Sequence, residues 1–167
     1  MIRIALPDEV KILKKITEAC TEDMRANGIF QWNKNYPSLQ VITQDVEAGN
    51  VYVYLIENKI VGCVMFSHSM DDFYKNISWL TPHKNQLYVH RLAVHPKHQK
   101  KGIARQLMSF GENLAIDRGC LSIRLDTFSK NERNNRFYKA RNYKRVGEVY
   151  FEHKSPFPFY CYEKVLP

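Results

Sequence analysis

The sequence has few features that would place the chain outside a reducing compartment or within a membrane. Its four cysteines, Cys20, Cys63, Cys120 and Cys161, are far apart and form no C-x-x-C pair. This spacing argues against a disulfide framework and a zinc site, and it predicts that the thiols are small buried side chains. No apolar run approaches the roughly 20 residues that a membrane-spanning helix needs. Because no basic and then apolar leader follows Met1, we expect no secretory signal and a cytoplasmic location.

The phosphate-binding motifs of two common nucleotide-binding folds are also missing. The chain contains neither G-x-x-x-x-G-K-[ST] nor G-x-G-x-x-G, which argues against a Walker loop and a Rossmann fingerprint. No repeat, low-complexity stretch or linker interrupts the 167 residues, so we expect a single domain over residues 1–167. His95 and His98 are close in sequence, but no third ligand is evident, so no metal site is predicted.

Positive charge is what the sequence has in excess. It has 25 Lys and Arg residues against 17 Asp and Glu, a formal net charge of +8, which favours anionic partners such as nucleic acid, acidic metabolites or a phosphorylated cofactor. A diffuse basic surface without a specific partner is the alternative. The position of the charge is more informative than its total, because the segment VHRLAVHPKHQKKGIARQLM (residues 89–108) contains Lys97, Lys100, Lys101 and Arg105.

Hydrophobic periodicity alternates between strand and helix along the chain. It predicts strands over residues 2–6, 51–66 (a hairpin turning at Glu57-Asn58-Lys59), 87–94, 120–128, 143–151 and 159–165. It predicts helices from Asp8, as N-cap, to Gly28, from Leu39 to near Gly49, from Gly102 to near Asp117, and from Asn131 to Ala140. A long polar loop is expected over residues 67–84. A hairpin-rich first half followed by strand–helix–strand order implies a mixed sheet with helices on both faces.

The segment 89–108 has the composition of an anion site. The apolar run Leu87 to Val94 stops at Pro96, and Gly102 and Ala104 then precede an amphipathic pattern. The first N–H groups of a helix lack internal partners, and the helix dipole makes that end positive. Small residues at the turn let the backbone approach phosphate oxygens, and the flanking lysines add charge. The residues therefore favour a diphosphate-sized anion at a helix N-terminus, with an ordinary glycine turn as the alternative.

Two segments of the chain have the spacing of known signatures. QKKGIA (residues 99–104), preceded by LAVHP, has the pattern [QR]-x-x-G-x-[GA], and NERNNRFYKARNYKRVG (residues 131–147) is similar to N-x-x-A-x-x-F-Y-x-x-x-G-F. These segments resemble the two signatures of the GNAT superfamily of acyl-CoA-dependent N-acyltransferases, and LAVHP matches the family's central strand. The order of predicted elements also fits, so the resemblance covers essentially the whole chain. It implies an α/β fold with a mixed, mostly antiparallel, twisted sheet of about seven strands.

The second motif departs from the family pattern at two places. Asn134 stands where the family usually has Ala, which would leave the face beside the cofactor more polar. Asn142 and Tyr143 stand where the family has Gly-Phe. Asn tolerates the left-handed conformation that Gly would take, so the turn after this helix can still form.

The resemblance implies acetyl-CoA as the acyl donor, without a metal. By this resemblance, backbone N–H groups cradle the CoA diphosphate in the loop formed by Gln99, Lys100, Lys101, Gly102, Ile103, Ala104 and Arg105. The central strand pairs its backbone with the pantetheine arm, as an added strand would, through Leu92, Ala93 and Val94. Asn131 holds the pantetheine from the other side, and Phe137 packs near it.

The resemblance also implies roles in transferring an acetyl group to a primary amine by direct attack in a ternary complex. Tyr138 would protonate the leaving thiolate, since a phenol with a pKa of about 10 and a thiol of about 8.5 are close enough for transfer. A backbone N–H around Leu92 would stabilise the oxyanion. His90 is the candidate base, and Tyr88 would continue a relay toward solvent. Structural roles for His90 and Tyr138 are the alternatives.

No motif identifies the acceptor amine, whether a small molecule or a peptide. In the family the acceptor site lies among regions that here supply Gln31, Trp32, Tyr36, Trp79, Tyr88, Phe157 and Phe159. Such rings suit an apolar or flat amine, or a cation over a ring face, although QWNKNYP (residues 31–37) is equally suited to be a packing plug.

Two other functions are weighed against the enzyme. One is an acyl-CoA-binding sensor without turnover, against which the retained Tyr138 and Asn131 argue. The other is a basic nucleic-acid-binding module, which the lack of RNP, KH and helix-turn-helix signatures disfavours. A membrane partner is not expected, and a homodimer is left open.

Overall fold

The computed structural model describes residues 1–167 as seven strands and four α-helices. The strands are β1 (Ile2–Ile4), β2 (Val51–Ile56), β3 (Lys59–Ser67), β4 (Gln86–Val94), β5 (Ser122–Phe128), β6 (Lys144–Val149) and β7 (Phe159–Val165). The helices are α1 (Val10–Ala26), α2 (Leu39–Glu47), α3 (Ile103–Asp117) and α4 (Glu132–Ala140). Single 3₁₀ turns occupy Pro7–Glu9, Asp72–Tyr74 and Pro96–His98. The predicted order of strands and helices is confirmed.

The seven strands form one sheet in the order β1-β2-β3-β4-β5-β7-β6. Strands β4 and β5 run parallel, whereas β1–β2, β2–β3, β5–β7 and β6–β7 are antiparallel. A parallel pair needs a crossover connection, and α3 supplies it. The predicted mixed, mostly antiparallel sheet flanked by helices is therefore confirmed.

The chain divides into two compact units, the first of which comprises Met1–Phe66 and His90–Gly111. Its hydrophobic core includes one face of α1 and the inward side chains of β2. In α1 the buried Leu13, Ile16 and Cys20 recur at helical spacing, as the periodicity predicts. This apolar stripe is what holds α1 in the core of the unit.

The start of α1 differs from the prediction, and Asp8 is not its N-cap. Pro7–Glu9 form a separate 3₁₀ turn, and α1 begins one residue later without a side-chain cap. The Glu9 carboxylate instead accepts a hydrogen bond from the Leu6 N–H at 2.8 Å and pairs with Arg3 at 2.6 Å. Glu9 therefore caps the 3₁₀ turn, with its carboxylate held by Arg3 of β1. Local sequence rules do not predict this cap.

The second unit comprises Ser67–Val89 and Glu112–Pro167. Every residue of β5 pairs with β7, whose other edge pairs with β6. The segment predicted as a long polar loop contains the 3₁₀ turn Asp72–Tyr74. Tyr74 in that turn is fully buried, and its hydroxyl donates to the Asp126 carboxylate on β5. The segment is therefore built into the core of its unit.

A buried ion pair connects β5 and β7 within the second unit. Arg124 and Glu163 are both fully buried, with Nε 3.0 Å from the carboxylate oxygen. The Glu163 carboxylate also accepts hydrogen bonds from the Ser122 and Thr81 hydroxyls and from the Leu80 N–H. Burial alone would raise the pKa of Glu163, but these hydrogen bonds and Arg124 lower it below its ordinary value. The charge is thus held in the core because its hydrogen-bonding capacity is met.

All four cysteine side chains are buried and unpaired with one another, which confirms the expectation of small buried thiols. No helix of the fold combines the length and the hydropathy that crossing a bilayer requires. The assignment of a single domain to residues 1–167 stays a prediction.

Candidate functional site

Strand β4 pairs regularly at its start but has an irregular backbone further along. Its first residues pair in register with β5, Gln86–Tyr88 against Ser122–Arg124. Further along, Arg91 has a φ of 51°, a left-handed conformation that a non-glycine residue rarely adopts inside a strand. Such a residue interrupts a regular ladder, as a β-bulge does. Arg91 directly precedes the three residues whose backbone was predicted to pair with pantetheine.

The last residues of β4 direct their backbone groups alternately to two sides. The His95 N–H donates to a β3 carbonyl at 2.9 Å, and a Cβ placed on Gly62 of β3 would meet the Ala93 carbonyl at 3.0 Å. Residues 93 and 95 therefore face β3. Because backbone groups alternate along a strand, those of Leu92 and Val94 face the opposite edge.

The Val94 carbonyl is already occupied. It accepts a hydrogen bond from the Cys20 thiol at 3.2 Å and from the Gln99 side-chain amide at 2.9 Å. An added strand could therefore use both backbone groups of Leu92 but only the N–H of Val94. The Gln99 contact also ties the start of the following loop to the end of β4.

The loop between β4 and α3 has the geometry of an anion-binding nest. Lys100 has a φ of 61° and Gly102 a φ of 80°, and left-handed residues of this kind turn successive N–H groups toward one concave side. The first hydrogen bond of α3 runs from Gln106 N–H to the Gly102 carbonyl at 3.0 Å. The N–H groups just before Gln106 therefore have no acceptor within the helix.

The space beside the Gly102 backbone is open. A Cβ on Gly102 would have no atom within 4 Å. Lys100, Lys101 and Arg105 are exposed, whereas Ile103 is buried and anchors the helix start. A phosphate site at a helix N-terminus needs exposed cations near N–H groups that have no acceptor within the helix, and this loop has both.

Tyr88 lies in a polar network of the second unit. Its side chain is fully buried, and its hydroxyl is 3.2 Å from both His83 Nδ1 and Arg124 Nη1. Because a guanidinium only donates, the phenol oxygen accepts from Arg124, whereas the tautomer of His83 decides which group donates in the second bond. Burial is the main reason that the pKa of Tyr88 is raised. His83 is exposed, so the network reaches solvent through a histidine that sequence reasoning missed.

Helix α4 starts at a predicted site residue. Asn131 is fully buried, and its side-chain oxygen caps the helix by accepting from the Asn134 N–H at 3.1 Å. The Asn134 amide donates to the Thr127 hydroxyl of β5 at 3.3 Å. Asn135, which sequence reasoning also missed, donates to the Phe128 and Asn131 carbonyls. These asparagines set the position of α4 on β5.

Tyr138 is on α4, in an aromatic cluster. Its ring is 5% exposed and packs edge-on against Phe137 and Tyr143, at centroid distances of 5.3 and 5.8 Å. Burial, and then the charge of Asp126, raise the pKa of Tyr138 above that of a free phenol. The hydroxyl therefore carries its proton throughout the neutral range. The partly exposed Phe137 lies beside it.

The departure from the Gly-Phe pattern is accommodated. Asn142 has a φ of 67°, the left-handed conformation that its side chain tolerates. Tyr143 is buried like a phenylalanine, and its hydroxyl donates to Glu112 at 3.2 Å. The same carboxylate pairs with Arg141 at 2.9 Å and Lys164 at 3.0 Å. The extra hydroxyl is therefore satisfied in the core.

Three of the predicted acceptor residues fall in the first unit. Trp32 is 8% exposed and belongs to the hydrophobic core, and Tyr36 packs against that core. The Tyr36 hydroxyl accepts from Arg91 Nη1 at 3.0 Å. Gln31 is partly exposed. For Trp32 and Tyr36 the environment favours the packing interpretation.

The other predicted acceptor residues fall in the second unit. Phe159 is 3% exposed and packs against Phe128 in the core. Trp79 donates its indole N–H to the Tyr74 carbonyl at 3.1 Å and covers the Arg124 guanidinium at 4.5 Å. Phe157 is exposed.

Comparisons with known proteins agree with this geometry. The acetyltransferase (GNAT) family model matches residues 13–143. The uncharacterized N-acetyltransferase YesJ of Bacillus subtilis (strain 168) is 21% identical over 145 residues, which is 86% of this chain and 81% of that protein.

Solved structures share the fold over the entire chain. A GNAT-family acetyltransferase of Streptococcus agalactiae 2603 superimposes with a TM-score of 0.85 at 21% identity, covering 100% of this chain and 95% of that one. The yncA protein of Salmonella typhimurium, solved with its cofactor acetyl-CoA, gives 0.71 at 18% identity, covering 100% and 94%. The family match spans more than half of the chain and includes the loop before α3 and all of α4: the chain belongs to the GNAT acetyltransferase family.

Proposed function

We propose that the protein transfers an acetyl group from acetyl-CoA to a primary amine of a small molecule or peptide, by direct attack in a ternary complex. The observation that carries the proposal is the loop between β4 and α3. Its left-handed Lys100 and Gly102 and its open concave side suit the diphosphate of CoA. Family membership supports acetyl transfer, and the Salmonella typhimurium protein with its cofactor acetyl-CoA supports the donor.

The donor would be held mainly by backbone groups. The N–H groups from Gln99 to Arg105 would bind the diphosphate, with the exposed Lys100 and Lys101 adding charge. The Leu92 carbonyl and the Val94 N–H would bind the pantetheine arm in the manner of an added strand. Ala93, between them, faces β3 and would only pack. Asn131 and Phe137 of α4 stay assigned to the same arm.

Acetyl-CoA supplies an activated thioester, and the side chains supply proton control. The Leu92 N–H would donate to the thioester oxygen, where negative charge develops. Tyr138 would donate to the departing sulfur. Because a thiol has a pKa of about 8.5 and that of Tyr138 is raised, complete proton transfer is uphill. The phenol would therefore act chiefly as a hydrogen-bond donor to the thiolate.

The attacking amine must be neutral, so a proton has to leave it. His90 is the proposed base. The Tyr88–His83 hydrogen bond, at 3.2 Å, supports a route to solvent through an exposed histidine. Tyr88 stays protonated at neutral pH because burial raises its pKa, so it is not itself the base. We propose that Tyr88 passes a proton on to His83 and positions that histidine.

The test is a panel of small-molecule and peptide amines assayed with acetyl-CoA by thiol release. We expect at least one amine to be acetylated, with the product confirmed by mass spectrometry and turnover rising with pH near neutrality as the base loses its proton. Tight acetyl-CoA binding without thiol release for any amine would instead favour the sensor. Absence of acetyl-CoA binding at millimolar concentration would reject the proposed function.

A further inference from the structure

Arg91 has a backbone conformation that its local sequence does not explain. Non-glycine residues with positive φ occur at Glu57, Asn58, Arg91, Lys100 and Asn142. All except Arg91 lie in turns, where such conformations are common. Arg91 has a φ of 51° within β4, and a non-glycine residue keeps such a conformation only where its surroundings enforce it.

The Arg91 side chain is held by two hydrogen bonds and an ion-pair contact within the first unit. Nε and Nη2 are both 2.6 Å from Oδ2 of Asp45 on α2. Nη1 donates to the Tyr36 hydroxyl at 3.0 Å. The Arg91 and Asp45 side chains are only 14% and 12% exposed, so solvent competes weakly for these bonds. We name this set, Asp45, Arg91 and Tyr36, the Arg91 clamp.

The conformation of Arg91 sets the direction of the next N–H group. The peptide between Arg91 and Leu92 is planar, so the Leu92 N–H turns as a rigid body with the Arg91 carbonyl. A change of φ or ψ at Arg91 therefore swings the donor that the proposed function aims at the thioester oxygen. An oxyanion donor must lie at about 2.7–3.1 Å from the developing charge, so a small swing removes its effect.

We propose that Arg91 is a positioning residue whose clamp to Asp45 and Tyr36 holds the left-handed backbone that aims the Leu92 N–H at the acetyl group. The inference rests on the proposed function, because it needs an acyl donor on the Leu92 edge of β4. It adds a role for side chains that touch neither donor nor acceptor. The clamp acts through the backbone, so its loss should affect turnover more than donor affinity.

The test compares two substitutions at one position. Arg91→Ala and Arg91→Gly both delete the clamp, but only Ala keeps the Cβ that disfavours positive φ. We expect acetyl-CoA affinity within about threefold of wild type for both, since most donor contacts lie elsewhere. We expect kcat to fall about 10²-fold in Arg91→Ala and distinctly less in Arg91→Gly. Arg3→Ala, which breaks the ion pair to Glu9 at 2.6 Å, is the control that should keep kcat.

A second readout does not depend on turnover. In wild-type protein labelled with ¹⁵N-leucine, acetyl-CoA should shift the Leu92 amide signal downfield, and desulfo-CoA, which has no thioester, should not. The shift should be lost in Arg91→Ala and partly retained in Arg91→Gly. Asp45→Asn keeps the side-chain shape and should cause a smaller loss of the Leu92 shift. It replaces Arg91→Ala in the experiment if Arg91→Ala is too unstable to purify.

The outcomes separate the two proposals. A loss of kcat in both variants with an unchanged Leu92 amide shift would mean that the side chain acts directly and not through the backbone, and unchanged kcat and Leu92 shifts in both would mean that the clamp only stabilises the fold. Either result overturns the positioning role while leaving acetyl transfer intact. Wild-type protein that does not bind acetyl-CoA would overturn the proposed function and the positioning role with it.

Discussion

Tyr138 illustrates how the surroundings of one side chain change its chemistry. From sequence, the phenol was matched to a general acid. In the structure, burial and the charge of Asp126 raise its pKa, which makes the proton harder to give away. A group of this kind stabilises a thiolate by donating a strong hydrogen bond, since a charged acceptor strengthens the bond. The role that we propose for Tyr138 is therefore that of a hydrogen-bond donor to the thiolate.

Tyr138→Phe should separate catalysis from binding. The change keeps the ring and its contacts with Phe137 and Tyr143 and removes only the hydroxyl. We expect kcat to fall by roughly 10²-fold, at the lower end for acid catalysis, because a CoA thiolate is already a tolerable leaving group. KM and the affinity for desulfo-CoA should stay within about threefold, since the bond forms mainly in the transition state.

The matched control is Tyr143→Phe on the adjoining ring. Its hydroxyl donates to Glu112, so this variant should lose stability while keeping kcat. Single-turnover rates and thermal unfolding of both variants would be measured together. Wild-type kcat in Tyr138→Phe, with an amine whose chemical step is rate-limiting, would remove the hydroxyl from the mechanism.

Single positions differ in how far sequence predicts them. Asn142 was expected to replace a glycine because its tolerance of positive φ is a local property, and its φ of 67° confirms this. The burial of Trp32 and Phe159 in the core is not local. An aromatic residue has the same sequence signature whether it lines a pocket or packs inside, so composition left both interpretations open.

Among helices and strands, the same distinction separates the loop before α3 from the left-handed Arg91 in β4. The loop was predicted because Gly102 and the lysines act where they stand in sequence. The conformation of Arg91 was not predicted, since HRLAV has the pattern of a continuous strand. The contact from Arg91 to Asp45 on α2, which we propose holds this conformation, exists only in the tertiary structure. The Tyr88–His83 bond was hidden for the same reason.

Gly102→Val tests the loop before α3. At a φ of 80° a branched side chain is strained, but no protein atom lies within 4 Å of its Cβ. In the proposed function, this open space is where a phosphate oxygen would approach. We expect acetyl-CoA affinity to fall at least tenfold, or about 1.4 kcal/mol, by isothermal titration calorimetry.

Gly28→Val is its matched control, because Gly28 has a φ of 74°, also with no atom within 4 Å, and follows α1. Both variants should lose similar stability through backbone strain. Only Gly102→Val should lose affinity. Equal acetyl-CoA affinities in two folded variants would show that the concave side of the loop does not bind the donor.

The ion pair between β5 and β7 predicts a pH-dependent stability. The pKa of Glu163 is lowered in the folded protein from its ordinary value of 4.5. Its contribution is therefore fully present above that value and is lost as the pH falls through the lower folded pKa. Glu163→Gln should cost about 3–5 kcal/mol at neutral pH, because Arg124 stays buried without its counter-charge.

Urea unfolding at several values between about pH 3 and 7, which bracket the ordinary carboxyl pKa, checks this contribution of Glu163. The difference in unfolding free energy between wild type and Glu163→Gln should shrink toward acid. Glu148→Gln, which breaks an ion pair to Arg145 with side chains 40% and 44% exposed, should cost less than about 1 kcal/mol. If Glu163→Gln cost as little unfolding free energy as Glu148→Gln at every pH, the prediction that the buried ion pair stabilises the fold would be wrong.

At the scale of the whole protein, the net positive charge would contribute differently to nucleic-acid binding and to acyl-CoA binding. A net charge of +8 attracts polyanions in general, and nucleic-acid binding of this kind weakens steeply with salt. A diphosphate held by oriented N–H groups of one loop depends on geometry as well as charge. Salt dependence and ligand selectivity therefore distinguish a basic module from an acyl-CoA enzyme.

Ligand-induced stabilisation of the full chain measures this directly. Acetyl-CoA binds only the folded state, so at a concentration about 100 times Kd it should add roughly 2.7 kcal/mol to the unfolding free energy. For a protein of this size that corresponds to a rise in Tm of about 5–10 °C. Desulfo-CoA should give nearly the same rise, because most contacts are to the phosphates and the pantetheine arm. A single-stranded oligonucleotide at equal phosphate concentration should give a smaller rise that disappears at about 0.2 M salt, whereas that of acetyl-CoA persists. An oligonucleotide effect that exceeds that of acetyl-CoA and survives the salt would assign the basic surface to nucleic acid instead.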